Sequence, residues 1–108
     1  MQMPPTTTED VTALLAQRVM GWDVAPDRFL LGHRRWIPRW RFQPIEKLED
    51  AFRLLEAAAP QEYVMGCRGG RFWVRVQIGP HTGEAQDQSK PRAIALAVAR
   101  ALQIPVGD

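Results

Sequence analysis

Residues 62–79 read EYVMGCRGGRFWVRVQIG. The pair Gly69-Gly70 supplies the two left-handed positions that a two-residue hairpin turn demands, at little steric cost. A turn there sets the register of the strands on either side: Arg68 opposes Arg71, Cys67 opposes Phe72, Met65 opposes Val74, and Tyr63 opposes Val76. The last three pairs share one face, and every residue in them is apolar or aromatic. The other face carries Gly66 opposite Trp73, Val64 opposite Arg75, and Glu62 opposite Gln77. Turn geometry and hydrophobicity therefore agree on one register, and a slip of one residue would break that agreement. Trp73 is placed to lie over the bare backbone of Gly66.

The chain of 108 residues is long enough for one core and too short for two. A single domain over 9–108 is expected, preceded by a disordered tail over 1–8. Apolar residues make up 45% and charged residues 24%, an ordinary globular balance. No apolar run approaches the roughly 20 residues a membrane helix needs, and MQMPPTTTED lacks the basic and apolar regions of a secretory signal. One cysteine excludes an internal disulfide framework and a multi-cysteine zinc site. On the hairpin's apolar face, Cys67 is expected to be an inert buried thiol. A cytoplasmic location is expected. The net charge of +2 hides an asymmetry: Arg28 to Phe42 holds five arginines and no acid. Outside that stripe acids outnumber bases.

Thr7 with Asp10 resembles a capping arrangement, and Val11, Leu14, Leu15 and Val19 form one apolar stripe. This predicts a helix over about 9–20, stopped by Gly21, with Trp22 folded back on the core. Phe29 to Leu31 is a candidate short strand. From Arg35 to Phe42 the pattern alternates, with Trp36, Pro38, Trp40 and Phe42 on one side and Arg35, Ile37, Arg39 and Arg41 on the other. The internal proline makes this an edge strand or an extended arm. A second helix is expected over about 44–58, between Pro44 and Pro60, with Ile45, Leu48, Phe52 and Leu55 as its stripe. Pro80 to Gln88 reads as a polar loop. Ser89 caps a third helix over about 91–102 that is apolar almost all round, so it is either buried on most sides or paired with a second copy. The fold class is α+β: a small, mainly antiparallel sheet centred on the hairpin at about 62–78, packed with three helices.

Three segments carry a family resemblance: Val19-Met20-Gly21-Trp22, Pro44-Ile45-Glu46-Lys47-Leu48-Glu49-Asp50-Ala51-Phe52, and Ser89-Lys90-Pro91-Arg92-Ala93-Ile94-Ala95. In that order and spacing the chain resembles the phage ABA sandwich domain family, small proteins of bacteriophages and prophages, over about Glu9 to Leu102. The family usually has threonine at the position of Ser89 and often cysteine at that of Ala95. The arginine-rich insert from Arg34 to Arg41 is a departure from it. The resemblance implies a layered fold and a phage source, so the expected cytoplasm is that of the host cell. It implies no established active site.

Three regions are candidates for function. The first is the stripe His33 to Phe42. Arginines interleaved with tryptophans suit an acidic protein surface, or phosphates with stacked bases. The alternative is a structural edge strand with core tryptophans. The second is the start of the third helix, where Ser89, Lys90 and Arg92 suit an anion; the alternative is ordinary capping. The third is His81, Glu84 and Asp87, a weak metal or acid–base set in a polar loop.

A non-enzymatic binding protein is the preferred expectation. In one form it sequesters a small anionic, nucleotide-like ligand through Ser89, Lys90, Arg92, Arg39 and Arg41. In the other it docks on a host or phage protein through Arg34, Arg35, Trp36, Arg39 and Trp40, with anti-defence, the inhibition of a host defence, as an example of its role. An enzyme acting on a nucleotide is the third reading. No metal or other cofactor is called for, and a membrane or duplex nucleic acid is not the expected partner. A homo-oligomer through the helix at 91–102 stands as an alternative, on equal terms with burial of that helix within one chain.

Overall fold

The computed structural model describes residues 7–106. In chain order it contains α1 (Thr8–Leu15), continued by a π-helical turn (Ala16–Met20), then β1 (Asp23–Val24), β2 (Arg28–Gly32) and β3 (Arg35–Pro38). A 3-10 turn (Arg39–Arg41), α2 (Leu48–Ala58), β4 (Glu62–Arg68), β5 (Arg71–Ile78), β6 (His81–Asp87) and α3 (Lys90–Ala101) complete it. Residues 1–6 of the expected tail lie outside the described residues. Thr7 and Thr8 belong to the helix: Thr7 Oγ1 accepts from the Asp10 N–H at 3.1 Å, and the Thr7 N–H donates to Asp10 Oδ2 at 3.3 Å.

The α+β class holds, with the strands divided between two antiparallel sheets of order β1-β2-β3 and β4-β5-β6. The β4–β5 hairpin has the register its turn dictates, from Arg68↔Arg71 to Glu62↔Gln77. Gly69 and Gly70 both take left-handed backbone, at φ 59° and 78°.

The segment expected to be a loop, Pro80 to Gln88, is mostly strand: β6 pairs with β5 from Ile78↔His81 to Phe72↔Asp87. Its alternation is concealed because its buried positions are small. Thr82, Glu84 and Gln86 face water, whereas Gly83 and Ala85 are buried. Smallness is required there. A Cβ on Gly83 would lie 2.1 Å from the Ala97 carbonyl oxygen and 2.3 Å from the Ala101 nitrogen, so strand and helix backbones are nearly in contact.

α3 is buried through Ala93–Ala99 and again at Ala101. Its cover comes from β5 and β6 on one side and α2 on another, all within one chain. The burial that suggested self-pairing of this helix is thus met internally, and its exposed residue in the last turn is Arg100. α2 begins at Leu48 rather than Pro44. Residues 44–46 form a turn instead, tied down where the Gln43 N–H donates to Asp50 Oδ2 at 2.9 Å. The buried side of α2 is Asp50, Ala51, Leu54 and Leu55.

Cys67 is exposed, contrary to expectation. β4 is an edge strand, and α3 packs on β5 and β6, so the apolar face of β4 runs out beyond the helix. At the other end of the core, Trp22, Phe29 and Phe42 form an aromatic cluster with ring centroids 5.1–5.9 Å apart. No described helix is long and apolar enough to cross a membrane.

Candidate functional site

The arginine–tryptophan stripe folds as a hairpin with a hook behind it. β2 and β3 pair Phe29↔Ile37 toward the core, and Leu30↔Trp36 with Arg28↔Pro38 toward solvent. The turn between them places His33 and Arg34 at φ 53° and 65°. Left-handed backbone is uncommon for residues with a Cβ, and two in succession cost conformational energy. The result is a tip that presents His33, Arg34 and Arg35 to water.

β3 is an edge strand, as expected, but Pro38 is its last residue rather than an internal one. The alternation expected to run on to Phe42 is broken because Arg39–Arg41 coil into the 3-10 turn. That coil separates the aromatic residues. Phe42 is fully buried, while Trp36 is 50% and Trp40 59% exposed. Both tryptophans are therefore surface residues.

The arginines differ in their engagement. Arg39 is a structural clamp: its guanidinium donates to the Ala25 carbonyl at 2.9 Å and lies 4.9 Å from the Phe29 ring centroid. Arg28 sits 4.2 Å over the Trp36 ring. It also donates to both carboxylate oxygens of Asp27, at 3.1 and 2.9 Å. Those hydrogen bonds, helped by the opposite charge, hold the Asp27 carboxyl below its ordinary range and raise the Arg28 guanidinium. Arg34, Arg35 and Arg41 form no ion pair with a described residue; Arg41 lies 5.8 Å from the Trp40 ring. The Arg28–Trp36 contact was missed in the sequence because it is a diagonal across two strands whose register no turn glycine announces.

A half-open cavity of about 530 Å³ lies behind the hook, between α1, the β1–β2 turn and the approach to α2. Phe42 and Ile45 contribute apolar surface, while Arg39 and Trp40 share its walls with Glu9, Asp27 and Glu46. None of Ser89, Lys90 and Arg92 lines it.

Those three residues form a separate cluster around an internal anion. Asp87 Oδ1 accepts from the Ser89 N–H at 2.8 Å, and Asp87 Oδ2 lies 3.2 Å from Arg92 Nε. Ser89 Oγ caps α3 by accepting from the Arg92 N–H at 3.3 Å. The Lys90 ammonium lies 5.8 and 5.9 Å from the Phe52 and Phe72 rings. The ligand residues expected from sequence thus fall into two places, with Arg39 and Arg41 in one and Ser89, Lys90 and Arg92 in the other.

The third candidate set is dispersed along β6. His81 and Asp87 share the inner face, Glu84 lies on the outer face beside Arg75 at 3.8 Å, and His81 Nδ1 is 3.4 Å from Gln103 Nε2. No group of three or more His, Cys, Asp or Glu among the described residues is arranged to hold a metal ion.

The comparisons with known proteins agree with this architecture. The crystal structure of a phage protein from Bacillus cereus ATCC 14579 superposes with a TM-score of 0.74, covering 96% of this chain and 94% of that one at 16% identity. At that identity the likeness speaks to the fold alone. No curated protein matches the chain. The sequence pattern of the phage ABA sandwich domain matches residues 13–98, most of the chain, and the layered α+β structure is in keeping with it. The chain belongs to the phage ABA sandwich domain family.

Proposed function

We propose that this protein acts by binding, docking its β2–β3 arm and the hook behind it on a partner protein with an acidic rim and a recess for an aromatic ring. The observation that carries this reading is the exposure of Trp36 and Trp40 beside Arg34, Arg35 and Arg41, which form no ion pair with a described residue. Each indole forgoes part of the roughly 2 kcal/mol or more that burying a large apolar side chain returns. Trp and Arg are also the residue types that dominate interface energetics. The contact between Arg28 and Trp36, with Asp27 holding Arg28, orders one anchor before docking and lowers the entropic cost of association. Five arginines without an acid between Arg28 and Phe42 give the arm a field that steers it to an acidic surface.

Sequestration of a small anion has less support. Arg39 is already engaged, three carboxylates share the cavity with it, and Asp87 supplies the negative charge at the start of α3.

The test is affinity capture from a phage-infected host, followed by titration of the captured protein after purification. Trp40→Ala and the double change Arg34→Glu, Arg35→Glu are each expected to weaken binding by about tenfold or more, about 1.4 kcal/mol, with the circular dichroism unchanged. Affinity is expected to fall as salt rises. Binding that is indifferent to both variants refutes the reading. A nucleotide that co-purifies and is lost in Arg39→Ala would favour sequestration instead.

A further inference from the structure

We propose that the protein self-associates through the free edge of β4, joining the β4-β5-β6 sheets of two copies into one across a two-fold axis at Met65. β4 is the outer strand of its sheet. It runs for seven residues and contains neither proline nor lysine, two of the devices that blunt exposed edges in monomeric proteins. The two-residue turn makes Arg68↔Arg71 the hydrogen-bonded pair nearest the loop. Alternation along the ladder then points the N–H and C=O groups of Tyr63, Met65 and Cys67 outward. The side chains of the same three residues lie on the apolar face, which α3, packed on β5 and β6, covers only in part. Tyr63 is 51% exposed, Cys67 is exposed and Met65 is half-buried.

Antiparallel pairing of two β4 strands about Met65 satisfies these features together. Met65 meets its own counterpart, Tyr63 meets Cys67 of the second copy, Val64 meets Gly66, and Glu62 meets Arg68. Every outward N–H then finds an outward C=O. Glu62 and Arg68 stand on the polar face at opposite ends of the strand, and neither is ion-paired to a described residue. The two-fold sets each against its opposite, twice per dimer. Moving the axis to Val64 or Gly66 loses that charge match. On the apolar face, a cavity of about 210 Å³ lined by Met65, Gly66, Cys67, Phe72, Val74 and Lys90 lies beside the position of the second copy's Tyr63 ring and receives it. This surface is separate from the β2–β3 arm, so the inference stands whether or not the arm docks on a partner.

Sedimentation equilibrium of the full chain tests it. A concentration-dependent dimer is expected. Glu62→Arg and Arg68→Glu each set like charges face to face and are expected to raise its dissociation constant by about tenfold or more, while the double variant restores association. Unchanged thermal unfolding in the two single variants separates lost pairing from lost fold. Met65→Cys in a Cys67→Ser background is expected to cross-link two copies on mild oxidation, because Cα atoms of a hydrogen-bonded pair stand about 5.5 Å apart, within disulfide reach. A monomer at high micromolar protein, or a dimer indifferent to both charge reversals, overturns the proposal.

Discussion

The indole of Trp73 closes over Gly66 from the neighbouring strand: a Cβ on Gly66 would stand 2.7 Å from Trp73 Nε1 and 2.8 Å from Cε2 and Cζ2. The ring supplies the cover that a glycine in mid-strand lacks. Gly66→Ala is expected to destabilise the domain by about 1–3 kcal/mol in urea unfolding, because the ring must leave. In a Trp73→Ala background the same change is expected to cost less, since its obstacle is gone. Additive costs in that double-mutant cycle would show that the two residues are not coupled.

Gly83 faces a harder obstacle. Its missing Cβ points at α3 backbone, the Ala97 carbonyl and the Ala101 amide, rather than at a side chain that can rotate away. Gly83→Ala is expected to cost about 3 kcal/mol or more, and more than Gly66→Ala. Calorimetric unfolding of the two variants side by side checks the ranking. Equal losses would mean that helix and strand can separate freely.

The start of α3 depends on Asp87. Asp87→Ala removes the acceptor of the Ser89 N–H and the partner of Arg92, and is expected to cost about 1–2 kcal/mol. Asp87→Asn keeps an acceptor and loses only the charge pair. That pair is partly exposed, so this variant is expected to lose about 1 kcal/mol or less. Equal losses in urea titrations would put all of the effect in the charge.

The legible part of this fold was the part whose local rules agree. At β4–β5 the glycine turn and the apolar alternation name the same register, and even the Trp73–Gly66 contact follows from it. β6 was hidden because a strand pressed on a helix backbone must carry small residues, and Gly83 and Ala85 send no apolar signal. Cys67 was misplaced for a tertiary reason. Alternation names its face, but not how far α3 extends along that face. The stripe was recognised as an edge with tryptophans and arginines, yet its 3-10 turn buries Phe42 while Trp36 and Trp40 stay exposed. Asp87 as the anion at α3 was likewise out of reach, since its role depends on where β6 ends.

The Asp27–Arg28–Trp36 relay gives a pH dependence. The folded-state pKa of Asp27 is depressed, chiefly by the hydrogen bonds from Arg28, so the pair contributes above the unfolded carboxylate pKa and is lost as pH falls through the folded one. Because Asp27 is exposed, the readout is local. The Trp36 indole N–H resonance is expected to shift with a midpoint below the ordinary carboxylate range as Arg28 loosens over the ring. Asp27→Asn is expected to abolish that step. A Trp36 resonance flat across the acid range would break the link between pair and ring.

Trp36 and Trp40 stand only a few residues from Phe29 and Phe42, yet the two sets of aromatics are predicted to behave oppositely. Phe29 and Phe42 are fully buried against Trp22. Replacing either by alanine is expected to cost about 3–5 kcal/mol, a large part of what a small domain holds. Trp36→Ala and Trp40→Ala remove half-exposed rings and are expected to stay within about 1 kcal/mol of the parent. Their fluorescence is expected to be quenched readily by acrylamide, whereas Trp22, packed among phenylalanines, is shielded. Guanidinium unfolding of the four variants decides the matter. If Trp40→Ala unfolds the domain, its ring serves the core, and the surface proposed to meet a partner loses its anchor.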